Sequence, residues 1–402
     1  MENVNYVKQA ERPVPPHRMK RHTLIICVFL VFCLLLPVQG SARRLPETII
    51  KVGVIIEAKS FNMSSQGKYY IYDLNSGKQY DIASMNDYLV RPKTGGIVID
   101  GRKYGAFIRL IPKESAGYLR ISGRRYRDNI IIRMQNGKLT VINELGLEDY
   151  LFGILPREVN PAWPMEALKA QAVVSRTYVL RNLRKHAKNG FDVCTETHCQ
   201  VYGGVESENK TTNEAVLATR SEVQVYNGEL AQTLFHASCG GYTENPNYVW
   251  SWDSSSPDYL CGVMDKYCRN SPHQFWQNKL SAELIRQKLS KANYAVGKIV
   301  RITLTGNDGS GRPEKLKIKH SDGTLVIAPS KFRMAVDPWL VKSAMITNVS
   351  RSGGNFIIEG RGWGHGVGLC QWGAKELGEK GYSYKKILIF YYPGTKTEKW
   401  EE

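Results

Sequence analysis

The sequence predicts an α+β fold of mixed, mostly antiparallel sheets, with a central helix that follows an acid-bearing loop. Three observations carry this prediction. Residues 49–142 hold a succession of short β-branched and aromatic runs punctuated by Gly, Asn and Asp. Residues 165–183 contain neither Gly nor Pro and have helical spacing. Beyond them strand-like and helix-like segments alternate, and no internal repeat or low-complexity tract interrupts them.

The elements follow in order. IIKVGVII, KYYIYDL, GIVID, FIRLI, YLRI, NIIIRM and LTVIN read as strands. Asn136-Gly137 between the last two predicts a two-residue hairpin. LPREVNPAWP then places Glu158 in a loop bounded by Pro156, Pro161 and Pro164, with Trp163 beside it. VINELGLEDYL, which carries Glu148 and Asp149, reads as a structural turn. Pro164 suits the first turn of the helix that follows. On that helix Leu168, Ala172, Ser175, Val179 and Leu183 share a small, apolar face fit to pack on a sheet. Lys169, Val173 and Arg176 share another. Two cations two turns apart, beside one carboxylate, suit an anion- or sugar-binding cleft; they equally suit a solvated helix face. A polar insertion covers 185–209, with a short helix near 213–220. Asn227-Gly228 marks a second hairpin. Residues 250–275 form a loop rich in Trp, Asp, Ser and Pro. SAELIRQKLSKAN predicts a helix capped by Ser281, with Glu283 in its first turn. RITLT, KLKIKH and TLVIA are strands. AKELGEK and YKKILIFYY are helices, the second stopped by Pro393-Gly394.

The 402 residues are 42% hydrophobic, enough to bury a large core in one big domain or two modest ones. A formal charge of +18 favours polyanionic partners, among them nucleic acid, anionic lipid and the acidic polymers of a cell wall. The sequence holds no recognisable nucleic-acid motif, and its basic residues are scattered, so nucleic acid is not expected. Arg12, Arg18, Lys20 and Arg21 precede an apolar run, Leu24–Leu36, that ends in PVQGSA. That run has the length of a signal-peptide core, and Gly40-Ser41-Ala42 offers a cleavage site. Residues 23–38 also make a marginal membrane span of about 16, short of the usual ~20. Either reading puts the rest of the chain outside the cytoplasm.

RGWGHGVGLCQWGAK, residues 361–375, interleaves five glycines, Trp363, Trp372 and His365. Glycine at this density lets backbone approach closely, and the indole faces suit sugar rings. No Gly-Lys-Ser/Thr follows, which argues against a phosphate loop. His236 and Ser238, before Gly240-Gly241, are candidates to line the same cleft, as are His365 and Gln371. Each also suits an ordinary core or turn role.

These segments together resemble the SpoIID/LytB family of bacterial cell-wall proteins. The resemblance rests on NELGLEDYLFGILPREVNPAWPMEALKAQAVVSRTY, QVYGG at 200–204, HASCGGYTEN at 236–245, and GWGHGVGLCQWGAKELGEKGYSYKKILIFYYPGT. It is dense from 143 to 395 and looser from 49 to 142. It implies a cytoplasmic tail with an anchor or signal segment at 1–45, a β-rich part at 46–142 and a catalytic core at 143–402. It further implies a lytic transglycosylase acting on peptidoglycan glycan strands stripped of their stem peptides. The essential acid of the family aligns with Glu158, and two further implicated positions align with Lys169 and Arg176. The LytB branch is described mainly as amidase modifiers, so a wall-binding protein that recruits a peptidoglycan amidase is the competing expectation. The family usually keeps the N-terminal segment as a membrane anchor.

The chemistry needs only one acid. Most glycosidases use two carboxylates. In a lytic transglycosylase the acid protonates the bridging oxygen, then takes a proton from the sugar's own C6 hydroxyl as the 1,6-anhydro ring closes. Glu158 is the one acid in such a loop. The Pro and Trp cluster would raise its pKa by desolvation; the helix N-terminus, Arg157, Lys169 and Arg176 would lower it.

Cysteine usage leaves two questions open. Cys27 and Cys33 lie in the apolar run. CTETHC, residues 194–199, with His186 upstream, offers thiolates and an imidazole for a tetrahedral zinc ion or, instead, a Cys194–Cys199 disulfide. Some relatives bind zinc through cysteines and histidines in this insertion, so the resemblance favours a structural Zn2+ on Cys194, His198 and Cys199, with His186 as fourth ligand. HExxH is absent, which counts against a zinc hydrolase. Cys239, Cys261 and Cys268 are expected to contain one disulfide, the odd thiol being free to pair with Cys370.

Overall fold

The computed structural model describes residues 48–401 apart from 115–116, 198 and 251–255. The N-terminal anchor or signal segment and His198 therefore lie outside the described residues. No helix among the described residues is long and apolar enough to cross a membrane.

The fold is α+β, and among the described residues its strand pairs are antiparallel except for two short parallel ones. A seven-stranded sheet runs in the order Val193–Cys194, Ile49–Ala58, Lys138–Gly146, Asn129–Gln135, Phe107–Pro112, Tyr69–Asp73, Gln79–Ile82. A six-stranded sheet is built from strands between Phe61 and Arg127. The alternating patterns that predict these strands appear as alternating burial: Tyr69 and Ile71 are sealed while Tyr72 faces out. Both hairpins form as expected. Asn136 and Gly137 have φ of 51° and 70°, Asn227 and Gly228 of 51° and 81°, the left-handed pair that a two-residue turn requires.

One hydrophobic core runs from Ile50 to Val223. The expected boundary at 142/143 falls inside the strand Lys138–Gly146, which pairs with Ile49–Ala58 along its length. A second core gathers the Met165–Arg181 helix, the Gly-rich motif and the C-terminal helices. A third fills the region from Trp276 to Ile358.

Two local expectations are corrected. Glu158 is not in a loop; it is the last residue of a helix, Leu147–Glu158, with Pro156 inside its final turn. The helix forms because Leu147, Tyr150, Leu151, Ile154 and Leu155 bury one continuous face. Gly153, which reads as a breaker, is required there: a Cβ would stand 2.4 Å from the Tyr202 ring. Pro156 costs one backbone bond near the end of the helix, where disruption is small. The second correction is a helix the sequence reading omits, Pro329–Val336, started by its own proline and buried through Phe332 and Val336.

Candidate functional site

The helix Met165–Arg181 is the central strut, and Leu168, Ala172, Ser175 and Val179 are all buried as the spacing predicts. Above its C-terminal half lies a cleft of about 580 Å³. Glu158, His236, His365 and Gln371 line it together. They are brought there from three distant segments. The parallel pair Phe235–His236 with Leu369–Cys370 sets the HASCGG and Gly-rich motifs side by side. Ser238 and Trp363 exchange backbone bonds of 2.8 and 3.1 Å. Gly364 sits at φ +113°, where a Cβ would stand 2.8 Å from His236 Cβ. The glycines of the motif thus serve a close approach of backbone to the histidine.

Glu158 is half-buried on the cleft wall. Its Oε1 accepts a 3.2 Å bond from the Val201 N–H, supplied by the QVYGG segment. That segment is docked by Tyr202, whose hydroxyl donates to buried Asn143 at 2.7 Å. Gln371 donates from Nε2 to the Glu158 carbonyl oxygen at 3.1 Å. Its side chain therefore holds the backbone of the acid. Burial pushes the Glu158 carboxyl above its ordinary range; the Val201 N–H and the Arg157 charge pull the other way and lose.

Both cleft histidines are neutral and locked as single tautomers. His236 Nδ1 lies 3.1 Å from the Val367 carbonyl oxygen, which can only accept. Nδ1 therefore carries the proton, and Nε2, which is buried without a partner among the described residues, presents a lone pair. His365 is reversed: Nδ1 accepts the Val367 N–H at 3.1 Å. Burial lowers the His365 pKa to about 4 and drives that of His236 well down. The rings pack edge to face at 5.5 Å, and Trp250 covers His365 at 5.1 Å.

Lys169, Arg176 and Ser238 do not line this cleft. Arg176 is fully buried, and its guanidinium grips Glu148 at 2.9 and 2.6 Å. It also donates to the carbonyls of Glu222 and Val216. This geometry fits neither a cleft contact nor a solvated face; it holds the helix in place. Lys169 pairs with Glu166 at 2.8 Å, and Glu166 in turn accepts the Tyr384 N–H at 2.7 Å. At about 100° per residue, Tyr178 stands roughly 200° round the helix from Arg176. The cleft uses that opposite face, through Tyr178 and Asn182. Ser238 is buried behind the wall.

Arg333 is a charged cleft residue that sequence reasoning missed. It belongs to the unpredicted helix, and among the described residues it forms no ion pair with a carboxylate. Its Nε donates to the Lys342 carbonyl at 3.0 Å, and burial lowers its pKa to about 10. Pro329 at a helix start, with Phe332 and Val336 four apart, is the signal that could have found it.

The insertion brings together His186, Cys194 and Cys199, with ligand atoms within 4.8 Å of one another. His186 Nε2 lies 3.4 Å from Cys199 Sγ, and Cys199 also lines the cleft. Two thiols and an imidazole at this spacing fit a zinc ion.

The comparisons with known proteins point to the SpoIID class. The profile for stage II sporulation protein, SpoIID, matches residues 135–226, and that for a domain of unknown function, DUF8618, matches 253–368. An uncharacterised protein of Brachyspira hyodysenteriae is 34% identical over 87% of this chain and 92% of its own. The amidase enhancer of Bacillus subtilis is 30% identical over 79% of this chain and 50% of its own length. Stage II sporulation protein D of Bacillus subtilis is 27% identical over 63% of this chain and 75% of its own. The chain belongs to the SpoIID family.

Proposed function

We propose that this protein is a peptidoglycan lytic transglycosylase acting in sporulation or cell-wall remodelling, with Glu158 as its single acid and base. One observation carries the reading: a carboxyl with a raised pKa faces the cleft and is anchored at both side chain and backbone. A raised pKa keeps a proton available for the bridging oxygen. Once ionised, the same carboxylate takes the C6 hydroxyl proton as that oxygen attacks C1. The His236 Nε2 lone pair accepts a substrate hydroxyl, and the His365 imidazole packs beside it. Arg333 holds a carboxylate of the glycan, such as a lactyl group. Trp363 offers a flat face to a sugar ring.

A structural zinc ion held by His186, Cys194 and Cys199, with His198 as the further ligand, would brace the cleft wall at Cys199. It would supply no open coordination position. The N-terminal segment would anchor the body outside the cell membrane or be cleaved to release it to the wall.

Incubating glycan strands stripped of stem peptides with the protein, then reading products by mass spectrometry, tests this. Anhydro ends are expected, and Glu158→Gln is expected to lower their rate by about 10²–10⁴ while glycan binding persists. A Gln variant that cuts like wild type would overturn it. The likeness to the amidase enhancer favours one second reading, a wall-binding partner of a peptidoglycan amidase. Stimulation of an amidase that survives Glu158→Gln would support that reading instead.

A further inference from the structure

The expected sulfur grouping of Cys239, Cys261 and Cys268 does not form. Cys261 is exposed, 3.8 Å from the Pro257 carbonyl. Cys370 takes its place, and a carboxylate joins. Cys239, Asp265, Cys268 and Cys370 are each wholly buried, with one ligand atom apiece inside a 4.8 Å span. Cys239 Sγ lies 3.4 Å from Cys268 Sγ and 3.2 Å from Asp265 Oδ2.

We propose that these four residues bind a second structural zinc ion, behind the floor of the cleft. Three arguments meet. The first is donor chemistry: three soft thiols with one carboxylate make a closed tetrahedral set that suits zinc. The second is spacing. Ligands about 2.3 Å from a common centre stand about 3.8 Å apart in a tetrahedron, close to the separations seen. A disulfide needs its sulfurs at about 2.0 Å and would leave a third thiol buried beside the acid. The third is charge. Asp265 is buried with no ion-pair partner among the described residues. Its carboxylate accepts the Tyr391 hydroxyl at 3.0 Å, the Tyr267 N–H at 2.9 Å and the Cys239 and Cys370 thiols, all neutral donors. A cation supplies what that carboxylate lacks. The surroundings suit a thiolate cluster: the Cys239 N–H points at Cys370 Sγ at 3.3 Å, and the Gly241 N–H at Cys239 Sγ at 3.4 Å.

The ion would tie three segments together, adding to the strand pair Phe235–His236 with Leu369–Cys370 and to the bond from the Asp265 N–H to the Gly241 carbonyl. Cys239 follows His236 by three residues. Cys268 lies in the short turn Tyr267–Asn270. Cys370 immediately precedes Gln371, whose side chain holds Glu158. The proposal does not rest on the reaction assigned to Glu158, and its test reads no activity.

The full chain, kept reduced and stripped of metal, is reconstituted with cadmium-113 alone as a stand-in for zinc. The cadmium chemical shift reports how many sulfurs surround each ion. A three-sulfur resonance is expected in wild type, separate from any two-sulfur resonance of the His186, Cys194 and Cys199 set. Cys194→Ser/Cys199→Ser should leave it in place, and Cys268→Ser should abolish it. If Cys268→Ser does not fold, Asp265→Asn, which keeps three thiols, should shift it. No three-sulfur resonance in wild type overturns the proposal. So does a resonance unmoved by Cys268→Ser or Asp265→Asn, or a Cys239–Cys268 disulfide mapped in protein isolated without reductant.

Discussion

Gln371 donates its side-chain amide to the main-chain carbonyl of Glu158 across 213 residues of sequence. The Gly-rich motif thereby fixes the backbone that aims the acid. Gln371→Leu removes the donor and keeps the volume. Glycan cleavage should fall by about 10²-fold through misplacement of the acid, with little change in glycan affinity. Single-turnover rates set against equilibrium binding check this; equal losses in both would contradict it.

Arg176 and Glu148 form a buried, bidentate pair that locks the helix Met165–Arg181 to the helix Leu147–Glu158. Removing one partner strands the other charge in the core. Arg176→Ala should cost about 3–5 kcal/mol of stability, measured by urea unfolding. Arg181→Ala, on an exposed side chain, should cost far less. At matched folded fraction, Arg176→Ala should retain glycan binding, since its guanidinium does not reach the cleft.

The Glu158 carboxyl titrates above its ordinary range, and Arg157 is one of the groups holding it down. A general acid is lost as pH rises through its pKa. Activity should therefore persist above the usual carboxylate range and then decline. Arg157→Gln removes a lowering charge, so the alkaline limb of kcat/KM should move to higher pH. Linkage gives a second readout. A folded-state pKa above the unfolded one makes the acid bind more protons when folded, so its contribution falls as pH rises between the two. Glu158→Gln should be more stable than wild type at neutral pH. That advantage should disappear below the unfolded carboxylate pKa.

Arg333 brings to the cleft a guanidinium that has no ion-pair partner among the described residues. Arg333→Gln should weaken binding of glycan that carries lactyl carboxylates by about tenfold or more, as loss of a charge-assisted bond implies. Neutral chitooligosaccharides of the same length should lose little. Calorimetry on both ligands separates the cases, and equal losses would remove the carboxylate-binding role.

The His186, Cys194 and Cys199 set predicts a metal-linked fold in the insertion. His186→Ala should lower the zinc content by about one ion. A strong chelator should reduce the melting temperature of wild type, because these ligands lose their common partner. A metal-free wild type with a Cys194–Cys199 disulfide would contradict it.

What the sequence determined by itself is what short-range physics controls. Alternation set the strands, and Asn-Gly pairs set both hairpins, because only a left-handed pair closes a two-residue turn. The Gly- and Pro-free stretch set the central helix and its buried face. Unusual motifs were enough to mark the family. The tertiary structure decided what depends on partners far along the chain. Gly153 and Pro156 looked like breakers locally, yet packing of Tyr150, Leu151 and Ile154 outweighs them. Helical periodicity put Lys169 and Arg176 on one face correctly, but it cannot say which face meets the cleft. That choice came from Glu148, 28 residues away, which claims Arg176 for the core. The balance of the Glu158 pKa was likewise illegible, since Lys169 and Arg176, two of the cations expected to lower it, are bound elsewhere. The grouping of Cys370 with Cys239 and Cys268 arises from a parallel strand pair between segments some 130 residues apart. No local pattern encodes such a meeting; it exists only once the cores have closed.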